Sequence, residues 1–181
     1  MRIQQRVDDA VRQLRPTCAP DTINTTLHGL FKDVVHRSGY EWGPLTAPAL
    51  YEGAIRQAFY TDGQQVLDPQ TRETVILPLL AAQGAELNLA LHVFIALVSH
   101  LTADQVLSIM LLTGVYSGVN VFTNSLRVVM KTFDAILKAV DAGFTTPIEV
   151  IGVISKEFPD AANEAARDRL GKIAGPLPPL P

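Results

Sequence analysis

Three helix-start signatures from the middle of the chain onward constrain the fold more than any other feature. Asp68-Pro69 sets an acid at the capping position ahead of a proline, whose missing N–H costs nothing in a first turn. Thr102-Ala103-Asp104-Gln105 is a capping box, its threonine and glutamine spaced to satisfy each other's backbone N–H groups. Thr146-Pro147-Ile148-Glu149 repeats that logic, and Thr46-Ala47-Pro48 is a weaker start. Apolar periodicity between these signals predicts helices over 2–14, 21–37, 47–60, 69–83, 86–99, 103–116, 119–141, 147–157 and 160–171. The expected fold class is all-α.

One segment carries two periods. Leu87, Leu89, Leu91 and Val93 alternate like a strand, while Leu87, Leu91, Ile95 and Val98 form a helical stripe. No neighbouring segment offers a strand partner, and a lone strand would leave its backbone unpaired, so helix is the expectation. Pro78 removes a donor in mid-helix and predicts a kink there. The segment 39–44 around Trp42 reads as a loop. The stretch from Gly175 to Pro181, with four prolines, is non-helical. The expected organisation is a single all-helical domain over 1–175 with its core motif at 67–133, followed by a proline-rich tail at 176–181.

Composition narrows the function classes. A length of 181 residues supports one domain with a real core and is too short for two. The net charge of −3 supplies no basic field for phosphates, which argues against nucleic acid as a partner. With 48% hydrophobic residues, burial between subunits of a homo-oligomer is expected. The apolar run from Val106 to Val121 is interrupted by Ser108, Thr113, Gly114, Ser117, Gly118 and Asn120, so it reads as a core helix and not a membrane span. The first residues lack a secretory h-region, and a cytoplasmic location is the expectation.

Cys18 is the single cysteine, set between Pro16 and Pro20. One thiol excludes a disulfide, a CxxC redox pair and a cysteine-rich zinc site within one chain, and Cys18 reads as a small apolar residue. His28 and His36, like His92 and His100, stand eight apart, too far along a helix to share a metal without a third ligand. No HExxH pattern occurs, so neither metal nor cofactor is expected.

The informative landmarks run from Leu67 to Phe133. They are Leu67-Asp68-Pro69-Gln70-Thr71-Arg72-Glu73, Leu91-His92, Leu101-Thr102-Ala103-Asp104-Gln105, Val115-Tyr116-Ser117-Gly118 and Asn124-Ser125-Leu126-Arg127. In order and spacing they resemble the carboxymuconolactone decarboxylase family, which includes the alkylhydroperoxidase D-like proteins. The resemblance covers the middle third of the chain. It implies a helical bundle that assembles as trimers or hexamers, with small-molecule sites near subunit contacts.

In the peroxidase branch a glutamate, a CxxC pair and a histidine form a proton relay. The resemblance places the glutamate on Glu73 and the histidine on His92, but the cysteine positions on Ala85 and Asn88, so the dithiol activity does not carry over. In the decarboxylase branch the work is proton transfer to a carbanion-like intermediate, for which a Glu/His pair on adjacent helices is suited. That branch often has a glutamate four residues before the histidine. Here Asn88 holds the position, and Glu86 points about 160° away from Asn88 on helical geometry.

Two readings follow. In the first, the chain is a cofactor-independent acid/base enzyme, a decarboxylase-like lyase acting on a small organic acid, lactone or carbonyl compound. Glu73 and His92 would be catalytic, Asn88 and Tyr116 would position the substrate, and Arg72 or Arg127 would hold a carboxylate. In the second, it is a non-catalytic oligomeric ligand-binding or assembly protein of the same fold. Each residue also has a plain structural reading. Glu73 suits a first-turn acid that serves the helix dipole or pairs with Arg72 or a neighbour, His92 a hydrogen-bonded core histidine, and Tyr116 a core aromatic with its hydroxyl tied to backbone. His100 reads as a helix-ending residue in the left-handed conformation.

Overall fold

A computed structural model describes residues 1–20, 22–23, 26 and 67–159. Among these residues the chain forms six helices and no strand: α1 (Ile3–Leu14), α2 (Pro69–Gln83), α3 (Glu86–Val98), α4 (Ala103–Ser117), α5 (Val119–Asp141) and α6 (Pro147–Lys156). Each lies within a residue of its predicted bounds at either end. Of the predicted helix 21–37, positions 22, 23 and 26 are described, and all three are helical. The predicted helices 47–60 and 160–171, the loop around Trp42 and the proline-rich tail lie outside the described residues.

Local chemistry explains why the bounds were readable. Asp68 caps α2 by accepting from the Thr71 N–H at 2.9 Å and from the Thr71 hydroxyl at 2.6 Å. The hydroxyl bond, then the backbone bond, holds the Asp68 carboxyl below its usual range. The capping box of α4 is complete: the Gln105 N–H donates to the Thr102 Oγ1 at 3.2 Å, and the Thr102 N–H to the Gln105 Oε1 at 2.8 Å. At α6 the Glu149 Oε2 accepts from the Thr146 hydroxyl at 2.6 Å and the Thr146 N–H at 3.0 Å, and these bonds lower its pKa. Caps of this kind each contribute on the order of 1 kcal/mol.

Three helices end alike. At Gly84, His100 and Gly143 the backbone turns left-handed, with φ of 66°, 73° and 78°. In each the next residue donates back across the turn: Ala85 to Leu80, Leu101 to Ala96, and Phe144 to Ala139, at 3.2, 3.0 and 2.9 Å. This is the Schellman closure, which satisfies the last carbonyls of a helix. His100 takes the glycine role, as expected from its position. Helix α2 runs unbroken through Pro78 to Gln83.

Helix α3 is the axis of the core. From Leu89 to Val98 every side chain is buried except His92. Helices α2, α5, α1, α4 and α6 pack against it. The amphipathic stripe Val7, Ala10, Val11 and Leu14 docks α1 onto this core. Helix α1 also bridges the α3–α4 junction. Asp8 accepts from the Ala103 N–H at 2.9 Å, and the Arg15 guanidinium donates to the Leu97 carbonyl at 3.0 Å. An acid at a helix N-terminus and a cation at a helix C-terminus both match the helix dipoles.

Helices α4 and α5 are joined through Gly118 alone, at φ 101° and ψ 159°, backbone that glycine adopts at least cost. The reversal brings Gly114 against Phe122 so closely that a Cβ on Gly114 would lie 2.4 Å from the Phe122 Cβ. No helix of the described residues is long and apolar enough to cross a membrane.

Candidate active site

The candidate site begins with the cap of α2. Starting the helix at Pro69 sets Glu73, Leu77 and Ala81 four residues apart on one stripe, with Arg72 beside it, and all four are buried. The Glu73 side chain is fully enclosed, at 0% exposure. A carboxylate so far from water costs several kcal/mol unless it is paired and hydrogen-bonded. Both of its oxygens are engaged. Oε1 accepts from the Arg72 Nε at 3.3 Å, and Oε2 meets the Nδ1 of His92 at 2.7 Å.

His92 is the one break in the buried run from Leu89 to Val98, and its side chain retains 24% exposure. A carboxylate oxygen accepts, so Nδ1–H donates to Glu73, and in the neutral ring this places the lone pair on Nε2. An enclosed acid thus orients a partly exposed imidazole, the arrangement by which a carboxylate fixes the tautomer of a catalytic histidine. In such an arrangement a neutral ring can exchange a proton at Nε2.

The other sequence-predicted residues separate from this pair. Asn88 is exposed one turn before His92 on the same side of α3, and among the described residues no hydrogen bond joins it to His92 or Glu73. Tyr116 is 84% exposed near the end of α4, which corrects the reading of it as a core aromatic. The physical reason is that helical period within α4 does not encode which of its residues the neighbouring helices cover. Arg72 faces Glu73 with only 6% of its side chain exposed, instead of standing at the surface as a carboxylate hook. Arg127 pairs with Glu86 across α5 and α3, and both are partly exposed. Ala85 and Asn88, at the positions where redox relatives place thiols, are the N-cap and a first-turn residue of α3.

The Arg72–Glu73 contact was one of the plain readings of Glu73, though adjacent side chains on a helix diverge by about 100° and give little signal of pairing. Sequence reasoning missed the Glu86–Arg127 pair, which depends on how α5 crosses α3. Cys18 is buried and donates to the Thr145 carbonyl at 3.4 Å. Burial raises its pKa, with the Thr17 hydroxyl bond opposing, which favours the unreactive thiol. Among the described residues no three His, Cys, Asp or Glu side chains are grouped to hold a metal ion.

Residues 48–131 match the family model described as the Carboxymuconolactone decarboxylase family. No curated protein and no solved structure matches the chain. The matched segment ends within α5, so α1 and α6 lie outside it while packing on the same core. It contains Glu73, His92 and the Tyr116-Ser117-Gly118 turn, and over these residues the chain is similar to the carboxymuconolactone decarboxylase family.

Proposed function

We propose that the chain is a cofactor-independent acid/base catalyst of the carboxymuconolactone decarboxylase type. Its substrate is a small organic acid, lactone or carbonyl compound. The observation that carries this reading is the 2.7 Å bond from His92 to a fully enclosed Glu73. A purely structural histidine would satisfy either nitrogen on backbone, whereas this one spends Nδ1 on a buried carboxylate and stays partly exposed.

In the proposed step His92 Nε2 takes the O–H proton of the substrate's carboxyl group, and the imidazolium so formed faces the Glu73 carboxylate. When the substrate's C–C bond to its carboxylate breaks, carbon dioxide leaves and the electron pair stays on carbon. Nε2–H then returns its proton to that carbon, restoring the neutral ring. Proton movement at carbon beside a carbonyl asks for no group beyond these side chains. Asn88, exposed on the His92 side of α3, is the residue proposed to orient the substrate.

The exposed apolar side chains Val75 and Leu79 of α2 and Leu111, Leu112, Val115 and Tyr116 of α4 favour self-association, and a cytoplasmic homo-oligomer is the proposed state. His92→Ala is expected to abolish turnover of carboxymuconolactone-like acids while leaving helicity and assembly intact. Full activity of that variant on the true substrate would sink the mechanism.

A further inference from the structure

We infer that Arg72 is a positioning residue, which acts on the substrate only through Glu73 and His92. The inference rests on the acid/base reading of that pair. A glutamate carboxylate has two equivalent oxygens on a flexible stem, and an imidazole beside it can be met by either. Here the Arg72 Nε occupies Oε1 at 3.3 Å, which leaves Oε2 as the oxygen directed at His92.

The contact is not an automatic result of adjacency. Side chains one residue apart point about 100° away from each other around a helix, so Arg72 must fold along α2 to reach Glu73. Both side chains are almost wholly buried, at 6% and 0% exposure, so water does not compete for that contact. With Arg72 on Oε1, the oxygen that faces His92 is Oε2, and a carboxylate oxygen there selects the Nδ1–H tautomer. Arg72 therefore steadies the carboxylate oxygen whose bond to Nδ1 leaves Nε2 as the nitrogen offered to a substrate. A substrate carboxylate would have to enter a nearly closed space to reach Arg72 itself, which argues against the anchoring role expected from sequence.

The test is the side-chain nitrogen spectrum of His92 in the intact, ¹⁵N-labelled protein, assigned by comparison with His92→Gln. Wild type is expected to show a protonated Nδ1 and an unprotonated Nε2. In Arg72→Gln this single signature is expected to be lost to a mixture of tautomers, and in Arg72→Lys, which restores a positive charge, to return. A wild-type ring protonated at Nε2 would overturn the inference whatever the variants do, so misfolding of Arg72→Gln does not shield it. A folded Arg72→Gln with an unchanged signature, or a folded Arg72→Lys with mixed tautomers, would also overturn it. The spectrum needs no substrate. The positioning role fails on the ring signature, and the acid/base reading fails separately on turnover by His92→Ala.

Discussion

The start of α2 and the end of α4 invert the usual distribution of polar and apolar groups in opposite senses. At the first, charged Arg72 and Glu73 are buried; at the second, Leu111, Leu112, Val115 and Tyr116 are exposed, as is Val119 just beyond the turn. Buried charge is tolerated only when its partners are in place, and here His92 and Arg72 supply them. Exposed apolar surface has no such internal remedy, and its natural remedy is another surface. The first region is thus stabilised within the chain, and the second has no comparable cover among the described residues. Such departures from the ordinary pattern are informative because folding alone does not call for either.

The comparison breaks most severely if the buried carboxylate is removed. Glu73→Ala leaves Arg72 and His92 without the acceptor they share, and breaking a buried pair from one side costs about 3–5 kcal/mol. Urea unfolding should show that loss. A cost under about 1 kcal/mol, the range of a surface pair, would mean that the three groups do not depend on one another.

Gly114→Ala addresses the other region from its buried side. Its new Cβ would meet Phe122 at a separation that real side chains do not show, so α4 and α5 must part. Overpacking of that kind costs about 1–3 kcal/mol, read as a lower denaturation midpoint at unchanged slope. A neutral result would show that the turn at Gly118 is free to open.

Val115→Asp has the smallest expected effect on folding, within about 0.5 kcal/mol, because the side chain is 70% exposed. Its effect should appear instead in solution mass, as a shift toward smaller species by light scattering. A large fall in stability with unchanged mass would place Val115 in the core after all and erase the contrast.

The two regions also differ in how far the sequence revealed them. The ends of α2, α4 and α6 were legible because a cap acts over three or four residues: Asp68 on Thr71, Thr102 on Gln105, Glu149 on Thr146. His100 was legible as a helix terminator for the same reason. The Glu73–His92 pair was reached through a family spacing, and the fold brings the two together across α2 and α3. Tyr116 was misread because helical period alone gives no view of how α4 is covered near its end. Asn88 was placed correctly on the His92 side of α3, yet its exposure depends on the surrounding helices.

What the sequence determined by itself was the all-helical class, the boundaries of the six described helices and the absence of a dithiol. These follow from interactions within a few residues and from a count of one cysteine. Only the tertiary structure decided which charged groups are buried, that Arg72 turns to Glu73, that Arg127 meets Glu86 and that the end of α4 is bare. Burial and long-range pairing are properties of how helices cross, and neither capping chemistry nor periodicity within one helix encodes the position of its neighbour.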